Sequence, residues 1–333
     1  MAAISSRYTR HMERREFLLA SAAAAAAPPP GRPRISAGSF NFHTFGANQK
    51  ADAAIDIIGE MGFEGIELIL LTRDDIKGYW TDAKIGELRK KLERWKLDVA
   101  QFIMFQPVVE GLTSLNRTVR NQNLDFFEAG CRVGRKLGAP LVNIVAPWPT
   151  EVSSKDHSYL PRYYDIEKPK PGEKFTMDVA LPFDWEALWD NYVGATKECL
   201  QRAKAHGMKM TIEHHTHTMI PGIDAFLRLW DAIKDPALGY NMDTGWTLAH
   251  RDYPPVAIYK ARRHLMNMHV RDIDGLMRLF PHIGEGVMDF KAICAALKAI
   301  GYRGFLTLEQ DKHPGDMKAT AKRYLAMLKE YLA

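Results

Sequence analysis

Four residues able to bind a metal or move a proton lie at the ends of short apolar runs: Glu213, Asp243, His269 and Glu309. A run such as Met208–Ile212 predicts a buried strand that is apolar along its length and ionisable only at its carboxyl end. Successive members are about 30 residues apart, the pitch of a barrel of eight strand–helix units. The carboxyl ends of barrel strands share one rim, so we expect these side chains to converge.

Three carboxylates and one imidazole form a borderline-hard ligand set for one divalent cation, with Mn²⁺ as first choice and Mg²⁺ or Co²⁺ as alternatives. Part of an octahedral shell stays open for a hydroxyl and a carbonyl oxygen of a carbohydrate. The cation would polarise that carbonyl and stabilise an enediolate as the adjacent carbon loses its proton. Two carboxylates on opposite sides of the metal would act as base and acid on the two faces of that carbon.

Strands and helices alternate along the chain at a regular pitch, which predicts an α/β fold with a parallel sheet. Eight strand–helix pairs indicate a (β/α)8 TIM barrel. Asp184 and Asp289 precede apolar periodic segments and are predicted helix N-caps. The predicted strands before the four rim residues are Ile35–His43, Gly65–Leu70, Asp98–Met104 and Leu141–Ala146.

The pattern breaks between residues 148 and 183, after the fourth strand, where aromatic residues stand among Pro, Lys and Gly. A long aperiodic loop inside a compact domain is usually functional. Because this loop follows a strand's carboxyl end, we interpret it as a lid over the rim. The alternatives are a solvent-exposed loop without a function and a contact between copies of the chain. The second alternative would make the protein a homo-oligomer.

The 333 residues carry 45 Lys and Arg against 40 Asp and Glu, a formal net charge of +5. This mild excess, without a basic run, gives no support for nucleic acid as a partner. No stretch of about 18 apolar residues predicts a membrane span. The three cysteines, Cys131, Cys199 and Cys294, fall far apart in predicted helices and are interpreted as buried free thiols.

Residues 1–30 have the composition of a targeting leader. Paired Arg14 and Arg15 precede Phe17 and Leu18, and an alanine run then leads to three prolines at 28–30. This order resembles a twin-arginine signal, which predicts export of a folded, periplasmic protein. A disordered leader or an anchor is the alternative, and without a signal the protein would be cytoplasmic. We expect residues 31–333 to form a single barrel domain.

Six short motifs in the segment 35–330 together resemble the xylose isomerase-like superfamily of sugar isomerases and epimerases. They are Gly-Phe-Glu-Gly-Ile-Glu-Leu (62–68), Ile-Glu-His-His (212–215), Asn-Met-Asp-Thr-Gly (241–245), Met-His-Val-Arg-Asp (268–272), Gly-Glu-Gly-Val-Met-Asp (284–289) and Leu-Glu-Gln-Asp (308–311). Each motif is weak alone, but their order is fairly specific for the superfamily and not for the reaction.

The resemblance to the ketose 3-epimerases of this group implies one divalent metal on Glu213, Asp243, His269 and Glu309, with proton exchange by the two glutamates. Trp246 stands where the family has a histidine that helps to hold the sugar. Arg271 replaces the family's lysine and offers a planar fork rather than a point charge. The departure at Trp246 puts identical substrate recognition in doubt, whereas Arg271 keeps the charge, and both residues are candidates for substrate binding.

His215 lies two residues beyond Glu213 and points to the same side of an extended strand. It is a candidate general base, as expected for lyases or dehydratases of this superfamily. His214 and His217 are interpreted as rim residues bonded to water. His43 and Glu67, on the first two strand ends, are candidates for contacts with substrate or with the metal ligands. Glu285, in a predicted tight turn, is a further candidate for substrate binding.

The leading interpretation is a metal-dependent sugar isomerase or epimerase. The alternative is a lyase or dehydratase acting on 3-keto sugars, 3-keto-glycosides or inososes, which uses the same metal and enediolate. An endonuclease on this barrel would need a three-metal cluster with more rim histidines, and the third strand ends in Phe102–Phe105 without one. A non-catalytic sugar-binding barrel would be expected to lack one or more of the metal ligands, whereas this sequence has a potential ligand at all four positions.

Overall fold

The structure is a computed structural model that describes residues 31–43, 51–105, 108–149, 151–153, 172, 177–216, 218–275, 281–310 and 315–333. Within the chain, Arg32–Ala333 form one compact unit. The predicted leader, residues 1–30, lies outside the described residues. Its role and the proposed division of the chain at residue 31 stay predictions.

Eight parallel strands form the centre of the fold. They are β1 (Arg34–Gly38), β2 (Gly65–Leu70), β3 (Asp98–Met104), β4 (Leu141–Val145), β5 (Lys209–Glu213), β6 (Leu238–Asp243), β7 (Leu265–Val270) and β8 (Phe305–Leu308). Each strand pairs with the next along the chain, and β8 pairs back onto β1 through Arg34 opposite Phe305. The sheet is therefore a closed barrel, and the predicted (β/α)8 fold is confirmed.

Helices connect successive strands and cover the outside of the barrel. They are α1 (Ala51–Glu60), α2 (Arg73–Gly78), α3 (Asp82–Trp95), α4 (Val108–Gly111), α5 (Arg117–Leu137), α6 (Trp185–Ala205), α7 (Ile223–Ile233), α8 (Thr244–Ala249), α9 (Pro254–Ala261), α10 (Phe290–Ile300) and α11 (Met317–Leu332). Asp184 caps α6 by accepting from Ala187 N at 2.9 Å, and Asp289 caps α10 by accepting from Ala292 N at 2.9 Å. Both predicted N-caps are confirmed.

The inside of the barrel is polar, which contradicts the prediction of strands that are apolar along their length. Every strand contributes one fully buried polar side chain to a layer that we call the interior polar ring. Its members are Ser36, Glu67, Gln101, Asn143, Thr211, Asn241, Asn267 and Thr307. Buried polar groups are costly unless they are hydrogen-bonded, and here neighbouring members bond one another, as Ser36 Oγ and Thr307 Oγ1 do at 2.7 Å. Apolar side chains pack instead between the strands and the helices.

The predicted first strand, residues 35–43, ends at Gly38, and the chain turns through a 3-10 helix at Ser39–Asn41. The side chain of Asn41 stabilises this turn by donating to Gly38 O at 2.9 Å and to Leu308 O at 2.8 Å. A Cβ at Gly38 would lie 2.3 Å from Cζ of Phe40, so a larger residue there would force that ring to move. Asn41 and the packing of Phe40 against Gly38 thus stabilise the turn, and the strand prediction was too long.

Helix α8 was not predicted, and it begins directly after β6. Asp243 Oδ1 caps it by accepting from Trp246 N at 2.8 Å, and Thr247 Oγ1 donates to Asp243 O at 2.6 Å. Six residues are too few to show helical periodicity in a sequence. The helix determines where Trp246 lies relative to the strand ends.

The predicted lid, residues 148–183, falls mostly outside the described residues and stays a prediction. Its described parts include a two-stranded antiparallel pairing of Val152–Ser153 with Asp178–Val179. Cys131, Cys199 and Cys294 are free and buried, as predicted. Among the described helices, none combines the length and the apolar character that crossing a bilayer requires.

Candidate metal centre

The four predicted ligands lie together at the carboxyl ends of the last four strands. Glu213 and Asp243 end β5 and β6, His269 is the penultimate residue of β7, and Glu309 directly follows β8. One donor atom from each lies within 4.8 Å of the others. Within the described part of the chain this is the one such group of three or more potential ligands. The geometry expected from the sequence is present, while the metal-binding role of each residue stays a prediction.

Asn41 fixes the backbone on both sides of Glu309. Its amide group donates to Leu308 O at 2.8 Å and accepts from Gln310 N at 2.7 Å. The 3-10 turn after β1 thereby fixes the position of the Glu309 backbone, from which the carboxylate extends. Asn41 was missed in the sequence because the segment around it was interpreted as a strand.

The electrostatics of the site favour a bound cation. Arg271 Nε lies 2.7 Å from Asp243 Oδ2, and its Nη2 pairs with Glu309 Oε1. Glu213 and the fully buried Glu67 add two further carboxylates, both in contact with His269. Among the described residues, the cluster thus contains four carboxylates and only one guanidinium. Buried charges need compensation by charges of opposite sign. The oxygen-rich donor set and this excess of negative charge fit a divalent cation.

In the absence of a cation, a proton on His269 supplies part of the missing positive charge. Burial alone would lower the pKa of His269, but Glu213, Glu309 and Glu67 raise it well above its ordinary value. Burial would likewise raise the pKa of Glu213, but His269 and His215 hold it well below its ordinary value. Since His269 Nδ1 lies 3.1 Å from Glu213 Oε2, a cation bound there would displace the proton from Nδ1.

Asp243 differs from the other carboxylates. Burial raises its pKa to about 6, although Arg271 opposes that shift. A carboxyl group inside a protein is costly to ionise without a nearby positive charge. A divalent cation would supply that charge, so the environment of Asp243 also fits the predicted site.

His215, Trp246 and Arg271 form a side wall next to the four candidate ligands. His215 Nε2 lies 3.3 Å from Glu213 Oε1, and its ring centroid is 4.5 Å from that of Trp246. Arg271 Cζ lies 5.9 Å from the centre of the Trp246 ring. The structure therefore brings together the candidate general base and two of the candidate substrate-binding residues.

The remaining candidates lie elsewhere. Glu67 lies inside β2 rather than at its end, beneath His269 and away from the open rim. His43 Nε2 lies 3.3 Å from Ser39 Oγ, just after the 3-10 turn. Glu285 is half-exposed and pairs with Arg323 at 2.5 Å. The predicted substrate contacts of His43 and Glu285 stay predictions, whereas the position of Glu67 suits a role behind the ligands.

His214 points away from the cluster. Its Nε2 lies 3.2 Å from Thr247 Oγ1, and its ring stacks on Tyr240 with centroids 5.3 Å apart. Burial lowers the pKa of His214 to about 3, so the ring is neutral at physiological pH. This side chain is fully buried, which contradicts its interpretation as a rim residue bonded to water. His217 lies outside the described residues.

Asn241 and Asn267 were not singled out in the sequence, although a signal for them exists. Each of the four candidate ligands follows a polar residue two positions earlier on its strand, and residues at that spacing share one face. The pairs are Thr211 with Glu213, Asn241 with Asp243, Asn267 with His269 and Thr307 with Glu309. This alternation indicates a polar barrel interior below the ligands.

Asp272 ties the turn before α10 to the end of β7. Its carboxylate accepts from the backbone N–H groups of Gly284 at 2.8 Å, Gly286 at 2.9 Å and Met288 at 3.1 Å. A Cβ at Gly286 would lie 2.2 Å from Asp272 Oδ1 and 2.3 Å from Ile273 O. The turn predicted at residues 284–286 is therefore held by a buried carboxylate and requires a glycine.

We expect Gly286→Ala to destabilise the protein by about 1–3 kcal/mol, because the added methyl group pushes the carboxylate off its donors. Urea unfolding followed by circular dichroism measures the change. Gly86→Ala in α3 is the control, since nothing lies within 4 Å of its Cβ, and it should be neutral or stabilising by up to about 1 kcal/mol. Equal stability of the two variants would contradict the role of Asp272.

Comparison with known proteins agrees with this geometry. A family model described as xylose isomerase-like TIM barrel matches residues 55–331. An inosose dehydratase of Geobacillus kaustophilus (strain HTA426) is 26% identical over 181 residues, which cover 49% of this chain and 56% of that protein. The chain thus spans about half the length of the curated relatives that it matches.

Solved structures resemble the chain over a larger part of its length. An L-ribulose 3-epimerase superposes with a TM-score of 0.70 at 19% identity, covering 90% of this chain and 94% of that one. The apo form of a 3-keto-D-glucoside 4-epimerase from E. coli superposes with a TM-score of 0.67 at 17% identity, covering 90% and 100%. At these identities the superpositions show a shared fold. Together with the family match, which spans most of the sequence, they establish that the chain belongs to the xylose isomerase-like TIM barrel family.

Proposed function

We propose that the chain is a divalent-metal-dependent carbohydrate enzyme that removes a proton from the carbon next to a carbonyl group, acting as an isomerase or epimerase. The observation that carries the proposal is the convergence of Glu213, Asp243, His269 and Glu309 within 4.8 Å. The names of the relatives support the chemistry, since 3-epimerases, a 4-epimerase and inosose dehydratases all act on hydroxy-carbonyl compounds. Mn²⁺ is the proposed metal, with Mg²⁺ or Co²⁺ as alternatives.

A divalent cation bound by these four residues would polarise the carbonyl group and stabilise the negative charge that develops when the neighbouring carbon loses its proton. Glu309 is the most exposed of the four, with 13% of its side chain accessible, so it can face the substrate. Arg271 pairs with Glu309 and holds this carboxylate ionised, ready to accept a proton. Glu213 is the second proton-transfer group and is held by Asn241 Nδ2 at 3.2 Å.

Dehydration or another elimination is the second candidate reaction. It is favoured by His215, whose Nε2 lies 3.3 Å from Glu213 Oε1 beside the cluster. A histidine there can move a proton at a different substrate position from the two glutamates. The inosose dehydratase relatives match this branch by name.

Replacing His215 distinguishes the two branches. If His215 is the general base of an elimination, His215→Asn should lower kcat about 10²- to 10⁴-fold. If the two glutamates alone exchange the proton, the change should be small, since Glu213 keeps Asn241 as a hydrogen-bond partner. Steady-state kinetics with the identified substrate gives the answer, and an unchanged kcat with loss of water from the substrate would contradict the role of His215.

The direct test of the function uses metal-loaded protein in ²H₂O with a panel of ketoses, inososes and 3-keto-glycosides. Nuclear magnetic resonance of the sugars reports both exchange and product. Incorporation of deuterium with inversion at one carbon supports an epimerase, and loss of water or of an aglycone supports a lyase. If no compound exchanges a proton while the metal is bound, the proposed reaction class is wrong.

We also propose that residues 1–30 direct export through a twin-arginine pathway, which would make the mature enzyme periplasmic. The support is the pair Arg14 and Arg15 ahead of an alanine run. Cell fractionation of the full chain and of a variant with both arginines changed to lysine tests this proposal. Equal export of the two proteins would contradict it.

A further inference from the structure

Glu67 makes a contact that no rim residue can make, because it reaches His269 from inside the barrel. The carboxylate is fully buried in β2, and its Oε2 lies 2.7 Å from His269 Nε2. We propose that Glu67 is a positioning residue that keeps the proton of His269 on Nε2 and so directs Nδ1 at the cation. The inference rests on the metal site of the proposed function, and it adds a residue that selects the binding nitrogen.

The two ring nitrogens of His269 face different environments. Nδ1 lies 3.1 Å from Glu213 Oε2 and also contacts Glu309 Oε2, so it belongs to the cluster of candidate ligands. Nε2 points the other way, toward Glu67. A metal-binding histidine commonly donates its second ring N–H to a carboxylate, which fixes the tautomer and the orientation of the ring. Glu67 has that position here.

Two amide groups offer an alternative arrangement. Gln101 Nε2 and Asn241 Nδ2 each lie 3.2 Å from His269 Nε2 and could donate to it if that nitrogen were unprotonated. A lone pair on Nε2 would then face the carboxylate oxygen of Glu67 at 2.7 Å, which is repulsive. The contact between Nε2 and Glu67 Oε2 is shorter and charge-assisted, so it is stronger than either amide contact. We therefore place the proton of His269 on Nε2.

Glu67 is itself held in a single orientation. Its Oε1 accepts from Thr307 Oγ1 at 2.6 Å and from Asn267 Nδ2 at 2.7 Å. With Oε2 accepting from His269, both oxygens of the side chain act as acceptors. An ionised carboxylate is the side chain that provides acceptors on both of its terminal atoms. The interior polar ring thus requires a carboxylate at position 67 rather than any polar group.

This requirement makes Glu67→Gln a specific test. The amide oxygen must stay opposite the two donors, Thr307 and Asn267, which leaves the NH₂ group opposite His269 Nε2. That nitrogen must then accept, and the neutral ring carries its proton on Nδ1, where it blocks the cation. The substitution changes hardly any volume, so its effect comes from the lost negative charge and the proton position rather than from packing, and a ¹⁵N-histidine measurement reports the proton position by itself.

The experiment measures Mn²⁺ binding to metal-stripped protein by electron paramagnetic resonance of the free ion. We expect Glu67→Gln to weaken binding about 10- to 100-fold. Ser36→Ala is the matched control, because it removes a bond of the same interior polar ring while Thr307 still donates to Glu67. It should leave Mn²⁺ affinity within about twofold of wild type. An equal affinity for Glu67→Gln and wild type would overturn the proposal.

A measurement on the wild-type protein keeps the proposal testable even if Glu67→Gln does not fold. ¹⁵N-histidine nuclear magnetic resonance of the Mg²⁺-loaded protein identifies which nitrogen of His269 carries hydrogen. Hydrogen on Nε2 supports the proposal, and hydrogen on Nδ1 overturns it. Neither readout requires turnover, so failure of the sugar-exchange test would remove the proposed reaction and leave this inference standing.

Discussion

Glu309→Gln is expected to abolish turnover, with kcat falling at least about 10²- to 10⁴-fold, because the amide can neither accept nor return a proton. The fold should persist, since glutamine has nearly the same shape and its amide oxygen can still accept from Arg271. Kinetics on the identified substrate and thermal unfolding measure the two effects. Both are needed, because a low kcat alone would not separate chemistry from unfolding.

Glu87→Gln provides the matched control for this substitution. It makes the same chemical change in an exposed ion pair with Lys84 on α3, remote from the strand ends. We expect its kcat and its unfolding temperature to stay at the wild-type values, because exposed ion pairs contribute little. Retained turnover in Glu309→Gln would remove Glu309 from the mechanism.

Asp243→Ala should affect both stability and metal binding. Arg271 is 3% exposed and would lose one of its two carboxylate partners, and breaking a buried pair costs about 3–5 kcal/mol. The cap of α8 would also be lost, which adds about 1 kcal/mol. Two effects reduce this loss, because Glu309 still pairs with Arg271 and the buried Asp243 carboxylate, whose pKa is raised to about 6, is itself costly to ionise. We therefore expect a net loss of about 1–3 kcal/mol. Urea unfolding measures the loss, and Mn²⁺ titration should show that tight binding has disappeared.

Asp243→Asn separates these two roles of Asp243. Its amide oxygen can still cap α8 or accept from Arg271, so most of the stability should remain. It has lost the negative charge, however, and a neutral amide is a poorer ligand for a hard divalent cation. We therefore expect a folded protein with weak Mn²⁺ binding. If Asp243→Asn binds Mn²⁺ as tightly as wild type, Asp243 is not a metal ligand.

The candidate ligands at the rim of the barrel could be predicted because the sequence shows where each strand ends. An apolar run that ends in Glu213 or Asp243 shows where a strand stops, and parallel strands bring those ends together. The regular spacing of the eight strand–helix pairs then predicted a closed barrel without information about contacts. His269 and Glu309 followed from the same pattern.

The depth of a residue inside the barrel could not be predicted in this way. Glu67 lies in a strand that is buried on both faces, so no alternation in the sequence reveals which way it points. Its contact with His269 depends on the register across three strand pairings (β2 with β1, β1 with β8 and β8 with β7), and the two residues are 202 positions apart. Position 246 posed a different difficulty, since the short helix α8 begins within the motif that contains Asp243. The location of the Trp246 ring became evident only with the geometry of that helix.

Metal stoichiometry tests the central claim most directly. Metal-stripped wild-type protein should bind one Mn²⁺ per chain tightly when it is titrated and followed by electron paramagnetic resonance. A double variant, Asp243→Asn with Glu309→Gln, keeps the shapes of both side chains, so it should retain its fold and show no tight site. An absence of tight binding in the wild type, or a tight site that persists unchanged in the double variant, would contradict the claim that these side chains hold one cation.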